Sequence, residues 1–340
     1  MNRRDIRRVA IGACAKALLA MGIGLVALTA TAQEWPVRTV QEWPVRTVQI
    51  IVPVPAGGGL DPFARAIAAK LTDTLKQRVV VDNKPGASGS IGTAFVAKSA
   101  ADGYTFGFVY DTHAVNPALI ARMPYDTIKD LAHVMLVGRA PLLVVANPRL
   151  TFRDFAEAMG AARARPDSIS IGFPGNGSVG HLALLQLARQ DGVRFNHVPY
   201  KGGGPLVQDL AGSQIDLGIA GVPNMVAAVK GKLIRPLAVT SDARSAALPD
   251  VPTLKEQGIH GITAYTWWGF VAPAGTPKAI LDRVHGALIG AIETPDLRKM
   301  LGETLAMEAI ASSPEAFSQF LAGETAVWGK VVRENNVRPE

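Results

Sequence analysis

The chain has 340 residues, of which 48% are hydrophobic and 19% charged, so it is long enough for two domains with real cores and is not a disordered chain. Its formal charge is +7, but residues 1–32 carry +4 of this on five basic side chains and one acidic one. No Lys- or Arg-rich run follows residue 33, which argues against a nucleic acid as partner.

Residues 1–32 have the pattern of an export signal. Basic residues lead into an Ala-, Gly- and Leu-rich stretch from Val9 to Leu28, and Ala30-Thr31-Ala32 offers a small-x-small cleavage site. We therefore predict export to the periplasm with cleavage near Ala32. The arginine pair at positions 3 and 4 fits a twin-arginine signal, and the ordinary secretory route stays open. Cys14 is the only cysteine, so the mature chain is predicted to contain none.

An octapeptide is duplicated directly after this signal. The sequence QEWPVRTV stands at residues 33–40 and again at 41–48, and only the second copy leads into a predicted strand. Two copies of so short a segment do not make a repeat fold. Residues 33–41 are therefore predicted to be a loosely held N-terminal extension.

The first predicted structural unit is a strand, a glycine loop and a helix. Residues 48–54 form a β-branched apolar run typical of a buried strand. Gly57, Gly58 and Gly59 follow, and glycine allows backbone N–H groups to approach a ligand closely. Asp61 is predicted to cap the next helix, which carries an apolar face. A strand and glycine loop at the positive end of a helix suit an anion, although an empty turn would have the same sequence.

The same alternation continues along the chain. Further strands are predicted over 78–83, 104–110, 142–146, 168–173, 193–200, 214–220, 237–241 and 267–272, and C-terminal helices are predicted to begin at the Thr-Pro or Ser-Pro pairs 276–277, 294–295 and 313–314. Alternating strands and helices favour mainly parallel sheets with helices on both faces. Ligands of such sheets bind at the carboxyl ends of the strands, so the loops at 56–61, 86–92, 111–117, 175–181 and 202–205 are predicted to converge on one cleft.

Two domains are predicted from this order of elements. The chain is expected to cross into a second domain at the strand beginning near residue 142 and to return at the strand beginning near residue 267. Domain 1 then comprises 42–141 and 267–340, and domain 2 comprises 142–266.

Residues 175–180 match G-x-G-x-x-G between a strand and a helix, the pattern of a dinucleotide site. The next strand ends at Tyr200 without the acidic residue that would hold a ribose. A simpler use is that Ser178 caps the helix and offers its hydroxyl and nearby amides to a carboxylate. Neither Ser178 nor Ser88 lies in G-x-S-x-G, and the six histidines show no metal-ligand spacing. No catalytic residue, metal or cofactor is predicted, and a nucleotide-dependent enzyme remains the alternative.

Several polar residues at loop ends are further candidates for ligand contacts. Lys201 would balance an anion, although a solvated lysine is the alternative. Asp111 would oppose a polyanion or pair with an ammonium group. Trp267 and Trp268 could stack on a planar ligand, but packing between the domains is favoured.

These segments together resemble the extracytoplasmic solute receptors of the tripartite tricarboxylate transporter family, the Bug-type binding proteins. The resemblance covers nearly the whole chain after the signal. It rests on PAGGGLD at 55–61 with Arg65, VDNKPG at 81–86, DGY at 102–104, His113 with Asn116-Pro117, GS at 177–178 with His181-Leu182, HVPYKG at 197–202, LAVTS at 237–241, LPDVPT at 248–253 and APAGTP at 272–277. The chain departs from the family pattern at Tyr110-Asp111, where members often have small or hydroxyl residues, and at Ala220-Gly221, where members often have an Asp.

The resemblance implies a type II periplasmic binding protein fold, with two α/β domains and a ligand cleft between them. It implies a receptor rather than an enzyme, which closes on a small organic carboxylate or amino-acid-like ligand and delivers it to membrane permease subunits. We expect a monomer, and docking on a signalling partner remains an alternative role. The residues expected at the site are Pro55, Ala56, Gly57, Gly58, Gly59, Asp61, Asp111, Thr112, His113, Asn176, Gly177, Ser178, His181, Tyr200, Lys201 and Gly202.

Overall fold

The computed structural model describes residues 43–57 and 59–339. The predicted export signal, the predicted extension at 33–41 and the candidate site residue Gly58 lie outside these described residues. None of the helices in the described part has both the length and the apolarity needed to cross a bilayer.

Strands and helices alternate through most of the described chain. The strands are β1 Val48–Val52, β2 Val79–Asn83, β3 Thr105–Tyr110, β4 Leu131–Ala146, β5 Ser170–Phe173, β6 Asn196–Pro199, β7 Leu217–Gly221, β8 Arg235–Val239, β9 Tyr265–Pro273 and β10 Glu308–Ala309. The helices are α1 Leu60–Leu75, α2 Ser90–Ala97, α3 Thr112–Leu119, α4 Phe155–Ala164, α5 Val179–Asp191, α6 Gly203–Ala211, α7 Val222–Lys230, α8 Lys278–Ile292, α9 Pro295–Lys299 and α10 Pro314–Glu334.

The strands form two groups that share β4. In the first sheet, β1 lies between β2 and β3 in parallel, and β9 runs antiparallel to both β3 and β4. In the second sheet, β5 lies between β6 and β7 in parallel, while β7 and β8 run antiparallel to β4. Strand β10 adds a short antiparallel pairing to β4. The fold is therefore a two-domain, mixed α/β arrangement.

Strand β4 changes partners in the middle of its length. It pairs with β9 as far as Pro141↔Tyr265, and from Leu142↔Gly221 onward it pairs with β7. Five of the nine strand pairings in the described residues are antiparallel, so the prediction of mainly parallel sheets is wrong. The cause is that β4 and β9 both run through the centre of the structure, in opposite directions.

The apolar faces of the helices pack on these sheets. The predicted face of α1 is buried as expected, with Phe63, Ile67 and Leu71 at most 2% exposed. In the core beneath it, the Phe108 and Phe270 rings meet edge to face with their centroids 5.0 Å apart. A separate cluster of buried residues covers the second sheet and includes side chains of α4, α5 and α10. Packed hydrophobic cores thus support the loops at the carboxyl ends of the strands.

The observed helix N-termini agree with the predicted ones at some positions and differ from them at others. The hydroxyls of Ser178 and Ser313 cap α5 and α10. Helix α1 instead begins one residue before Asp61, with Gly59 as an N-cap that makes no side-chain bond. The N-cap of α8 is Pro277 rather than the residue before it. The Asp61 prediction is wrong because its carboxylate instead accepts hydrogen bonds from the Gly57 N–H and the Asn83 side chain and pairs with Arg65.

Candidate functional site

A cavity of about 300 Å³ lies where loops of both sheets meet. Its lining comes from the ends of β1, β3, β5, β6 and β7, together with β4 and β9 at the centre. The lining residues are Val54, Gly59, Leu60, Tyr110, Asp111, Thr112, Leu142, Pro174, Ser178, Val179, Gly180, Gly202, Gly203, Ala220, Gly221, Pro223, Asn224, Thr266 and Trp268. Loops that are far apart in the sequence therefore share one space.

Five helices of the described chain begin at this cavity. Leu60, Thr112, Val179 and Gly203 are the first residues of α1, α3, α5 and α6, and Asn224 stands in the first turn of α7. N–H groups of a first turn have no acceptor within their own helix. The positive ends of the helix dipoles also lie at these positions. The main chain alone therefore makes the cavity favourable for an anion.

Asp111 is the only charged side chain among the described residues that line the cavity. Burial raises the pKa of the Asp111 carboxyl to about 6, and the nearby charge of Glu324 acts in the same direction. Hydrogen bonds from the Thr266 hydroxyl and the Thr112 backbone oppose this rise in pKa. The cavity therefore combines the positive ends of several helices with one acidic side chain, that of Asp111.

The predicted site residues divide into those that line the cavity and those that do not. Gly59, Asp111, Thr112, Ser178 and Gly202 contribute to the lining. The remaining described candidates lie on the same loops or behind them.

Asp61 holds the first glycine loop from below. Its carboxylate accepts a hydrogen bond from the Gly57 N–H at 2.9 Å and one from the Asn83 amide at 2.9 Å, and it forms an ion pair with Arg65 at 3.0 Å. Burial alone would raise the pKa of this carboxyl, but the bonds from Gly57, Arg65 and Asn83 hold it below its ordinary value. We call these four residues the Asp61 cluster. Pro55 lies on the exposed face of the loop, as do Ala56 and Gly57.

His181 holds the second glycine loop in the same way. Its Nδ1 accepts a hydrogen bond from the Gly177 N–H at 3.2 Å, and its ring stacks on Phe173 at 4.5 Å between centroids. Burial lowers the pKa of the His181 imidazole to about 4, with His197 acting in the same direction. The ring is therefore neutral at neutral pH, so Nδ1 is free to accept. His181 positions the backbone that leads to Ser178 and lies behind the cavity lining.

The last candidates do not line the cavity. His113 is buried, with Nδ1 3.3 Å from the Tyr125 hydroxyl, and burial lowers the pKa of its imidazole to about 3. The Tyr200 hydroxyl donates to Asp209 at 2.8 Å. Lys201 is exposed, and its side chain is not part of the cavity lining. Asn176 lines an adjoining groove that shares Thr112 and Ser178 with the cavity.

Sequence reasoning did not select several residues that line the cavity. Trp268 packs on Phe63 with 5.5 Å between ring centroids and also lines the cavity. A Cβ at Gly221 would stand 2.5 Å from the Thr266 methyl, so glycine is what allows β9 to lie there. Asn224 lies in the first turn of α7, which begins directly after β7, so a strand again leads into a helix as it does at the sites that were selected. That pattern is the signal that would have identified it.

The Gly177 backbone provides a test of the second glycine loop. Its φ is +76°, and an added Cβ would lie 2.4 Å from a methyl of the buried Leu119. We expect Gly177→Ala to lower the free energy of unfolding by about 2 kcal/mol, since backbone strain and overpacking add. Gly192→Ala is the matched control, because its φ of +65° brings the strain while its Cβ would meet nothing within 4 Å. Urea denaturation measures both, and equal losses would contradict the packing argument.

No group of three or more His, Cys, Asp and Glu side chains in the described residues is arranged to hold a metal ion. The polar groups of the lining residues are backbone amides, the hydroxyls of Tyr110, Thr112, Ser178 and Thr266, the Asn224 side-chain amide and the Asp111 carboxylate.

Comparison with known proteins identifies the family. The model described as the tripartite tricarboxylate transporter family receptor matches residues 63–337. Protein BugT of Bordetella pertussis is 35% identical over 292 residues, covering 85% of this chain and 89% of BugT.

Two solved structures from Rhodopseudomonas palustris are also similar. Rpa4515, solved with adipate, is 33% identical with a TM-score of 0.79, over 88% of this chain and all of that one. MatC, solved with bound malate, is 31% identical with a TM-score of 0.75, over 85% of this chain and 99% of that one. The predicted family and the predicted periplasmic binding protein fold are therefore confirmed. The chain belongs to the tripartite tricarboxylate transporter receptor family of solute-binding proteins.

Proposed function

We propose that this protein captures a small organic carboxylate in the periplasm and delivers it to a tripartite tricarboxylate-type membrane permease, without chemical conversion. The convergence of five helix N-termini on one cavity carries this proposal. First-turn amides and positive dipole ends favour a carboxylate without any basic side chain. The adipate and malate bound by the two R. palustris receptors support the same class of ligand.

The size and position of the cavity fit this role. A volume of about 300 Å³ stands at the lower end of the range for small-molecule sites. We propose that domain 1 spans 42–141 and 267–340 and domain 2 spans 142–266, which agrees with the change of partners of β4 between Pro141 and Leu142. Closure of the two domains would bury the ligand and present a closed surface to the permease.

The remaining parts of the proposal concern export and assembly. We propose that residues 1–32 direct the chain to the periplasm, that the signal is cleaved near Ala32, and that the mature receptor acts as a monomer. A nucleotide-dependent enzyme is disfavoured, because the Gly177 N–H in the centre of the G-x-G-x-x-G loop is already donated to His181.

Thermal denaturation of the mature protein with a panel of carboxylates tests the ligand class. A ligand at a hundred times its Kd stabilises the native state by about 2.7 kcal/mol, which raises the Tm by about 4 °C for a chain of about 300 residues. We expect at least one small carboxylate to give such a shift, whereas NAD and ATP should give none. If no organic acid raises the Tm, the proposed function is wrong. Loss of uptake of that ligand in cells lacking this receptor tests delivery to a permease.

A further inference from the structure

We propose that the ligand carries an ammonium group as well as a carboxylate, and that Asp111 is the residue that binds this ammonium group. The proposal rests on the proposed function as a carboxylate receptor and names the class of ligand more narrowly. It predicts that an amino carboxylate is preferred over a dicarboxylate of the same length.

The distribution of charge in the cavity is the first observation. Helix N-termini contribute positive character around the space, while Asp111 supplies the one charged side chain of its described lining. Lys201, the basic residue of the neighbouring loop, does not line the cavity. A second carboxylate of a bound ligand would share this space of about 300 Å³ with Asp111. A second carboxylate would meet a like charge there, whereas an ammonium group would meet an opposite one.

The hydrogen bonding of Asp111 is the second observation. An ionised carboxylate offers about four acceptor positions, and the Thr266 hydroxyl and Thr112 backbone use part of them. No Lys, Arg or His of the described chain forms an ion pair with Asp111. Acceptor capacity is therefore left for a charged N–H donor, and charge-assisted bonds of this kind are strong.

The other groups near Asp111 do not supply the missing positive charge. Tyr110 of β3 and Glu324 of α10 are the titratable groups that interact with it. The Tyr110 hydroxyl is neutral below pH 10, since burial raises its pKa to about 12. Glu324 accepts a hydrogen bond from the Trp328 ring nitrogen at 3.0 Å, and its charge can only be negative. An incoming ammonium group is thus the partner that fits.

Titration calorimetry with matched ligands tests the proposal on the mature protein. Each amino carboxylate is paired with the dicarboxylate in which –COO⁻ replaces –NH3⁺: 4-aminobutanoate with glutarate, and 5-aminopentanoate with adipate. Alanine is compared with propanoate for the α-amino arrangement. At pH 8 we expect at least one amino carboxylate to bind ten times more tightly than its partner, which is about 1.4 kcal/mol. Because burial raises the pKa of the Asp111 carboxyl to about 6, this preference should shrink between pH 8 and pH 5.

Two variants complete the design. Asp111→Asn should abolish the preference for the amino carboxylate and strengthen dicarboxylate binding. Asp250→Asn removes the same charge at an exposed position outside the cavity and should leave the preference unchanged.

The outcomes separate the two proposals. If dicarboxylates bind as tightly as their amino partners or more tightly at pH 8, the role of Asp111 is wrong and the carboxylate receptor stands. If neither class binds, both proposals fall. If Asp111→Asn fails to fold, the proposal is still tested by the wild-type protein, through its preference for amino carboxylates over dicarboxylates and the change of that preference with pH.

Discussion

Asp61→Ala is expected to lower the free energy of unfolding by about 3 kcal/mol and to weaken ligand binding. The change removes the acceptor for the Gly57 N–H and the Asn83 amide, and it breaks the ion pair of Arg65. Hydrogen bonds to a charged group contribute about 1.5–3 kcal/mol each, so the two lost bonds account for about 3 kcal/mol. The lost ion pair adds little, because the Arg65 side chain is 51% exposed and keeps its bond to the Asn83 side-chain oxygen.

Urea denaturation measures this loss, and the exposed pair Arg46–Asp102 is the matched control. The two side chains of that pair are 60% and 44% exposed, so Asp102→Ala should cost less than about 1 kcal/mol. Because the Asp61 cluster depresses the pKa of its carboxyl, its stabilisation is present above the ordinary Asp pKa and lost as the pH falls through the folded-state pKa. Equal losses in the two variants would show that the Asp61 cluster does not hold the loop.

In contrast to Asp61→Ala, Asp111→Asn is expected to raise the free energy of unfolding of the ligand-free protein, by about 3 kcal/mol at pH 8. Burial raises the pKa of Asp111 from 3.8 to about 6, and each tenfold change in an acid dissociation constant corresponds to about 1.4 kcal/mol. The folded state therefore favours the protonated acid. The wild-type protein loses stability as the pH rises from the unfolded-state pKa through the folded-state pKa, and the amide variant does not.

Unfolding at pH 4, 6 and 8 without ligand measures this effect. The difference between Asp111→Asn and wild type should be small at pH 4, grow through pH 6 and level off by pH 8. Asp250→Asn should show no comparable growth. A difference independent of pH would mean that Asp111 is not destabilised by its charge in the folded cavity. The expected result would mean that the ionised Asp111 lowers the stability of the ligand-free protein while it serves ligand binding.

The sequence was informative about loops and much less so about the side chains on them. Glycine-rich segments after β-branched runs predicted where strands give way to helices, and the loops containing Gly59, Ser178 and Gly202 do meet in the cavity. This succeeds because the carboxyl ends of parallel strands lie on one side of a sheet.

The direction in which a side chain points depends on three-dimensional contacts that the sequence pattern does not reveal. Asp61 was predicted as a helix cap, but Asn83, 22 positions later, draws its carboxylate beneath the loop. His181 was selected as a ligand residue, yet the nearby Gly177 N–H uses its Nδ1. Thr266 could not be found, because its place beside the cavity exists only through the pairing of β9 with β4.

The sequence pattern predicts only part of strand β4. Only residues 142–146 were predicted, whereas the strand begins at Leu131. Gly138, Arg139 and Pro141 interrupt the apolar run, so pattern reasoning stopped at the second sheet. The pairing with β9 supplies the missing support through residue 141, and tertiary contacts of this kind override local strand preference.

A crystal structure of the mature protein with the tightest-binding ligand of the titration series tests the central claim most directly. We predict that the ligand carboxylate lies in the cavity with its oxygens about 3 Å from first-turn backbone N–H groups of the converging helices. A ligand bound elsewhere with this cavity left empty, or a carboxylate held by a basic side chain such as Lys201, would contradict the account.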